Sequence, residues 1–299
     1  MRQCFGCCFL ALDTSRQAFW RCIGRSTMEK RGEALSLSKC TDADRPFYLE
    51  VVRLSAVDYL RQASPRTLVW TVPTRASMQA LFFVLLAGYA TGSSGRYYAF
   101  LGSVAFAPTM ALIARAPDLI GDEVWQGTMH RLRLTRRPIA VIMLARSWIY
   151  LVEGVAAALV VLCVVGPSTV GFSRTLSVLV ASPIVIVTAF SCLCLGLFIG
   201  AAAPRRRLDL LLANGATYLL LLTSGAVIPP SSIPLIDRLG SILPLRHGIA
   251  AMRGVVAGAL PVDALLREML VAAGWLTAMW VMLVMHTRRA ASNGNAESV

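Results

Sequence analysis

The residues that could catalyse a reaction or hold a metal ion are few and dispersed along this chain. The histidines are His130, His247 and His286, so no pair has the spacing of a helical zinc site. Cys4 and Cys7 form one Cys-x-x-Cys pair, but a structural zinc site needs two such pairs. No Gly-x-Ser-x-Gly motif of a serine hydrolase occurs. We therefore expect neither a catalytic site nor a metal site in this chain.

The sequence also lacks the residues that bind the phosphates of ATP. The phosphate-binding loop requires Gly-Lys-Ser/Thr, in which the lysine reaches the terminal phosphates. Lys30 and Lys39 are the only lysines in the chain, and neither follows a glycine. Any nucleotide that powers this protein must therefore be bound by another chain, and we expect this chain to bind no cofactor of its own.

Two charged residues interrupt otherwise apolar sequence. Arg146 and Glu153 are seven residues apart, which is about two helical turns, so they share one helical face. Intramembrane charges usually pair with each other or with neighbouring helices, and a minority line a substrate path. Both interpretations are open for this pair. An ion-coupled carrier usually has several acids in a relay, whereas Glu153 is the only clear intramembrane acid in the sequence.

The composition indicates that membrane-spanning helices position these residues. Of the 299 residues, 56% are hydrophobic and 15% are charged, whereas soluble domains carry about 25% charged residues. A spanning helix needs about 20 mostly apolar residues. Six stretches approach that length: residues 76–95, 97–114, 139–165, 175–204, 210–236 and 269–287. We therefore predict an all-α integral membrane protein with six transmembrane helices.

The placement of arginine predicts the orientation in the membrane. The net charge is +13, and the basic residues are concentrated before the first stretch and in every second loop after it. Loops rich in arginine stay on the cytoplasmic side of a membrane. Both termini are therefore predicted to be cytoplasmic, with the protein in the plasma membrane. The positive charge indicates membrane topology and contact with lipids, and no nucleic-acid partner is expected.

Two further segments are predicted to be helical but too polar to span. In residues 48–63 one helical face carries Leu49, Val52, Ala56, Tyr59, Leu60 and Ala63, and the other carries Glu50, Arg53, Asp58 and Arg61. This pattern predicts a helix in the cytoplasmic interface before the first span. Residues 118–138 begin with acids and end with arginines, which favours a helix. That loop either docks on a soluble partner or is a solvated connector.

The segment between the last two stretches predicts a hairpin. Pro229, Pro230 and Pro234 interrupt any continuous helix there. Beyond them one helical face carries Leu245, Ile249, Met252 and Val256, and another carries Arg246 and Arg253. The segment is too polar for a seventh span. We predict a re-entrant helical hairpin on the extracytoplasmic side, protected by the helix bundle.

The chain divides into three predicted regions. Residues 1–46 are polar and irregular and predict a disordered cytoplasmic extension; its short apolar run lacks the cleavage site of a signal peptide, and Met28 is an alternative start of translation. Residues 47–290 form the transmembrane domain. Residues 291–299 form a cytoplasmic tail.

Two passages carry a resemblance to a known family. In the first, Glu123-x-x-x-Gly127-Thr128 is followed by Leu132 and Thr135. The second comprises Ser224, Gly225, Pro229, Pro234, Leu243, Pro244, His247, Arg253 and Gly258. With these passages, residues 47–289 resemble the membrane-spanning permease subunits of type-2 ABC transporters, near the daunorubicin-exporter type. The chain departs from the family at Arg136, where proline is usual, and Pro138 follows two residues later.

The resemblance implies roles for both passages. The first would be the coupling helix gripped by an ABC ATPase subunit, and the second would be the outer hairpin that caps the transport path. The resemblance further implies a second permease copy, ATP and Mg²⁺ on the ATPase, and export of a drug, antibiotic, lipid or glycan. The alternatives are an ion-coupled secondary transporter that needs no ATPase and depends on Glu153, and a membrane enzyme, for which no reactive cluster is evident.

Overall fold

The computed structural model describes residues 47–62, 64–125, 128–129, 132, 137–203, 206–227 and 234–292. The predicted extension, residues 1–46, and residues 293–299 of the predicted tail lie outside these ranges. Helices form the regular structure within them: Phe47–Gln62 (α1), Pro65–Phe106 (α2), Thr109–Ala114 (α3), Ala116–Trp125 (α4), Ile139–Val160 (α5), Gly166–Thr169 (α6), Phe172–Val180 (α7), Ser182–Ala202 (α8), Arg206–Thr223 (α9), Pro234–Ile242 (α10), Arg246–Val256 (α11) and Val262–Ser292 (α12). A π-helical segment, Val161–Val165, joins α5 to α6.

Helix α1 confirms the helix predicted before the first span, but its buried face differs from the predicted one. Val51, Ser55 and Tyr59 are buried, at intervals of four residues, and α1 packs against α5. Leu49 and Leu60, which were expected to share a face with Tyr59, are 58% and 48% exposed. An apolar outer side is what a helix lying in the membrane interface requires. The core contact therefore includes Tyr59 of the predicted face but is shifted around α1 towards Val51 and Ser55.

Helix α2 reverses its direction at Gly92. This residue has φ 75° and ψ −153°, a backbone conformation that residues other than glycine rarely adopt. The rings of Phe83 and Phe106 lie 6.4 Å apart, edge to face. An uninterrupted helix would separate these two residues by about 34 Å. The two legs of α2 therefore fold back on each other, near the predicted boundary between the first two stretches.

Four helical stretches among the described residues are long and apolar enough to cross a membrane. They are Thr67–Val124, which contains both legs of α2, and Ile139–Thr169, Ser182–Ala202 and Val262–Arg288. Leu210–Thr223 is apolar but shorter. These helices confirm an all-α membrane protein; the count of six spans remains a prediction.

Several predicted boundaries are wrong. The stretch over residues 175–204 is divided between α7 and α8, which meet at Ala181. The stretch over residues 210–236 is cut short, because α9 ends at Thr223 and Gly225 follows with φ 75°. The last helix begins at Val262, well before residue 269. The predicted stretch began after Glu268, whose carboxylate the structure binds through backbone amides.

Helix α8 lies at the centre of the bundle, in contact with α3, α4 and α12. Glycines on α8 allow the backbones to approach closely. A Cβ at Gly196 would lie 2.2 Å from the carbonyl oxygen of Leu112, and one at Gly200 would lie 2.8 Å from Cα of Pro117. Small residues at helix contacts are the usual means of close packing in membranes. The elements that carry the predicted coupling loop are thus fixed against the bundle core.

Candidate functional site

The residues leading into the predicted coupling loop are held by a buried ion pair. Arg146 on α5 donates from Nη1 to Oε1 of Glu123 on α4 at 2.5 Å, and the side chains are 11% and 8% exposed. The hydroxyl of Thr128 donates to the other carboxylate oxygen, Oε2. The backbone N–H of Thr128 also donates to the carbonyl of Glu123 at 3.0 Å. The chain leaving α4 is therefore fastened to α5.

A second ion pair lies further along α5. Glu153 accepts from Nη1 of Arg115 at 2.8 Å through Oε1 and 3.0 Å through Oε2, and from the hydroxyl of Tyr59 at 2.6 Å. Arg115 stands between α3 and α4, and Tyr59 is on α1. The side chain of Glu153 is only 5% exposed. One carboxylate thus joins α1, the α3–α4 junction and α5.

Aromatic rings surround this second pair. The guanidinium of Arg115 lies 5.2 Å from the ring centroid of Tyr59 and 5.9 Å from that of Tyr150. The two tyrosine rings meet edge to face at 5.6 Å. Burial, together with the adjacent Glu153, raises the pKa of Tyr59 well above its usual range. Tyr59 therefore remains a protonated hydrogen-bond donor at neutral pH.

A backbone contact also ties α1 to α5. The indole Nε1 of Trp148 donates to the carbonyl of Val52 at 3.0 Å. A small pocket between α1, α4 and α5 is lined by polar and apolar side chains, among them Asp58, Asp122 and Ile149. Hydrogen bonds and ion pairs thus connect the three helices. We call the side chains that form the ion pairs, together with Tyr59, the coupling cluster: Tyr59, Arg115, Glu123, Arg146 and Glu153.

The structure separates the two intramembrane charges identified in the sequence. Arg146 and Glu153 do not pair with each other; each binds a residue of the α3–α4 region, Glu123 and Arg115 respectively. Of the two ways in which intramembrane charges usually pair, the structure shows pairing with neighbouring helices; the two charges do not neutralise each other. Sequence reasoning missed Arg115 and the role of Tyr59, because Arg115 was counted as an ordinary loop cation.

The predicted coupling residues are only partly within the described chain. Glu123 and Leu132 are buried, with Leu132 0% exposed, and Thr128 is bonded to Glu123 as above. Gly127 and Thr135 lie outside the described residues. The side chain of Glu123 therefore fixes the loop internally, and a contact with a partner would have to involve other atoms of the loop.

The hairpin segment, defined here as residues 224–258, is joined to α2 by Arg253. Its guanidinium lies 3.6 Å from the ring centroid of Tyr98 and donates from Nη2 to the carbonyl of Gly225 at 2.8 Å. Ser224 is buried, and its Oγ accepts from the N–H of Ala226 at 3.2 Å. Arg253 thus links α11, the turn after α9 and α2.

The other residues predicted in the hairpin segment have local roles. Pro234 begins α10, and Pro244 lies in the turn between α10 and α11. His247 contacts the carbonyl of Ser241 at 3.2 Å through Nε2. The segment is further closed by an ion pair between Arg246 and Asp237. Pro229 lies outside the described residues.

Helix α11 confirms the predicted apolar face. Leu245, Ile249 and Met252 are all 0% exposed. Leu245, the N-cap residue directly before α11, has φ 83°, the one positive φ at a residue other than glycine among those the structure describes. This strained start requires support from its surroundings.

That support comes from Glu268 on α12, which the sequence analysis missed. Glu268 is 0% exposed. Its Oε1 accepts from the N–H of Leu245 and its Oε2 accepts from the N–H of Gly248, each at 3.0 Å. A carboxylate at a helix N-terminus satisfies amides that have no partner within the helix. Sequence spacing gave no signal, because the bonds join residues 20 and more apart.

Among the described residues no group of three or more His, Cys, Asp or Glu side chains is placed to hold a metal ion. The arrangement is one of structural ion pairs and caps that link helices. Such a network can transmit a movement between helices.

The sequence is similar to one family of known membrane proteins. A family model described as ABC-2 type transporter matches residues 55–256, about two thirds of the chain. The matched part contains the coupling cluster and nearly all of the hairpin segment, and it ends before Glu268. A search of curated proteins finds no match.

Proposed function

Because the chain belongs to the ABC-2 type transporter family and is the permease component of an ABC transporter, we propose that it exports its substrate with energy from ATP hydrolysed on a separate ATPase subunit. Permeases of this family generally pair with ABC ATPases and dimerise. The observation that carries the proposal, beside the family match, is the coupling cluster. It joins the end of α4 to α5, and it joins the α3–α4 junction to α5 and α1.

The cluster supports a lever-like mechanism. ATP binding draws the two ATPases together and displaces the coupling loop after α4. Since Glu123 is tied to Arg146 and Arg115 is tied to Glu153, a displacement of α4 carries α5 and α1 with it. Breaking either pair would leave a buried charge unpaired, which costs about 3–5 kcal/mol. Movement of the three helices as one unit is therefore favoured over local distortion.

The proposal includes the partners and the place of action. One ATPase binds each permease, two permease copies line the path, and both termini face the cytoplasm of the cell's plasma membrane. ATP and Mg²⁺ stay on the ATPase, and this chain performs no catalysis. The substrate is hydrophobic or amphipathic, in the class of drugs, antibiotics, lipids or glycans, because the spanning helices are predominantly apolar.

The decisive experiment is purification of the tagged permease from membranes of its own cells, with identification of the proteins that accompany it. We expect a stoichiometric ATPase with a phosphate-binding loop. A homo-oligomer without an ATPase, whose transport follows an ion gradient and requires Glu153, would overturn the proposal and support a secondary transporter.

The docking assignment has its own test. Gly127→Arg places a large cation within the predicted coupling loop and should abolish both ATPase association and transport. Ala257→Arg is the matched control, because residue 257 lies in an exposed turn of the hairpin segment. Retention of the ATPase by Gly127→Arg would show that the loop is not the docking site.

A further inference from the structure

The start of α11 depends on a residue of another helix. The first amides of a helix lack partners within it, and here the side chain of Glu268 binds two of them, at Leu245 and Gly248. Both carboxylate oxygens are used, one for each amide. Water cannot replace them at this position, since Leu245 and Glu268 are both 0% exposed. The two bonds therefore fix the direction in which α11 leaves the bundle.

The same turn is also in close contact with α8. A Cβ at Gly248 would lie 1.7 Å from Cγ2 of Thr188 on α8. The Gly248 backbone thus lies against both Thr188 and Glu268. The close contact with Thr188 and the bonds to Glu268 together oppose sliding or rotation of α11.

The two bonds join α11 directly to a buried side chain of α12. A buried site of low dielectric strengthens such hydrogen bonds. In the described part of the chain no lysine, arginine or histidine forms an ion pair with Glu268. The amides of Leu245 and Gly248 bind both carboxylate oxygens, and separating α11 from α12 would leave a buried carboxyl group without these bonds.

We propose that Glu268 is a positioning residue for transport: by capping α11 it makes α11 and α12 move as one body, so that the hairpin segment follows α12 through the ATP cycle. This inference rests on the proposed function for its ATP-dependent part. The capping itself does not depend on an ATPase.

The first test uses the purified full-length permease alone. In Glu268→Gln the amide oxygen can accept from one N–H, but the NH₂ group cannot accept from the other. Hydrogen–deuterium exchange of the peptide containing residues 245–248 should accelerate roughly tenfold or more. The control is Asp263→Asn, because Asp263 is an exposed acid on the same helix. Unchanged exchange in Glu268→Gln would overturn the proposal.

Native cysteines of α8 show whether the effect is local. Cys192 and Cys194 are both buried, and Cys192 lies one turn beyond Thr188. With the other cysteines replaced by serine, Glu268→Gln should increase the reactivity of Cys192 with a small maleimide and leave Cys194 protected. Equal labelling of both thiols would indicate general loss of packing and would contradict a positioning role.

The second test uses the permease with its ATPase. Adding ATP and vanadate should change exchange in residues 246–256 and 262–270 together in the unmodified complex. In Glu268→Gln the change should persist in residues 262–270 and disappear from residues 246–256. Failure of the two segments to respond together in the unmodified complex, or an unaltered response in the variant, would overturn the proposal. Absence of any ATPase would refute the proposed function, while the first test would still decide the capping.

Discussion

The guanidinium of Arg146 lies 2.5 Å from the carboxylate of Glu123, and this bond connects the middle of α5 to the last turn of α4. Seven residues along α5, Glu153 is bound by Arg115. Two charges of opposite sign on one helical face therefore reach different partners. The arrangement makes α5 the helix that both ion pairs share.

Removing one partner of the first pair should destabilise the protein more than removing both. Arg146→Met leaves Glu123 buried without a cation, at a cost of about 3–5 kcal/mol. The double variant Arg146→Met/Glu123→Gln should recover much of that loss. Thermal unfolding in detergent measures the effect, with Arg61→Met, an exposed arginine of α1, as the control. Additive losses in the double variant would contradict an energetic pair.

Tyr59→Phe should have a smaller effect than Arg115→Met. The phenylalanine removes one hydrogen bond to Glu153 but leaves the ion pair, so we expect a loss of about 1 kcal/mol. Arg115→Met removes the cation itself. The comparison is made by thermal unfolding of both variants, and a larger loss in Tyr59→Phe would show that the hydroxyl is the principal partner of Glu153.

The contribution of Tyr59 should also depend on pH in one direction. Because its pKa is raised in the folded protein, its stabilising effect is complete below the ordinary tyrosine pKa of about 10 and is lost as the pH rises towards the folded value. The stability difference between the unmodified protein and Tyr59→Phe should therefore be constant from about pH 7 to 9 and shrink at higher pH. A difference that grows with pH would contradict the assignment.

Gly248→Ala should be strongly destabilising, and a change on α8 should rescue it. The new Cβ would lie 1.7 Å from Cγ2 of Thr188 but 3.1 Å from its Cβ. Overpacking costs about 1–3 kcal/mol, and Thr188→Ser removes the clashing methyl group. Gly274→Ala is the control, since nothing lies within 4 Å of that position. Unfolding of the single and double variants gives the result, and failure of Thr188→Ser to restore stability would place the strain elsewhere.

Arg253 and Tyr98 should show energetic coupling. Their stacking at 3.6 Å predicts an interaction of about 0.5–2 kcal/mol. In a double-mutant cycle of Arg253→Met and Tyr98→Leu, measured by thermal unfolding, the double variant should lose less stability than the sum of the losses in the two single variants. Simple additivity would mean that the hydrogen bond to Gly225 alone secures Arg253.

Much of this structure could be predicted from local sequence. The amphipathic α1, the long apolar helices, and the buried face of α11 at Leu245, Ile249 and Met252 follow from hydrophobic periodicity, which acts over a few turns. The breaks at prolines and glycines follow from backbone chemistry. These signals lie within one element and need no knowledge of the neighbouring helices.

The pairings could not be predicted from the sequence, because they join distant elements. Arg115 and Glu153 are 38 residues apart, and Glu268 reaches amides 20 and 23 residues before it. Because Glu268 is charged, the sequence indicated that the last span begins after it. The helix in fact begins at Val262. The side of α1 that is buried was also missed, because Ser55 packs inward while Leu49 and Leu60 face outward.

The reversal at Gly92 bears on how the protein is made. The two legs of α2 meet after a turn centred on a single residue, and closing so short a loop costs little entropy. Residues 65–106 can therefore pair as soon as they leave the ribosome, before α8 and α12 have been synthesised. We therefore expect the two legs of α2 to pair first and the later helices to assemble against them.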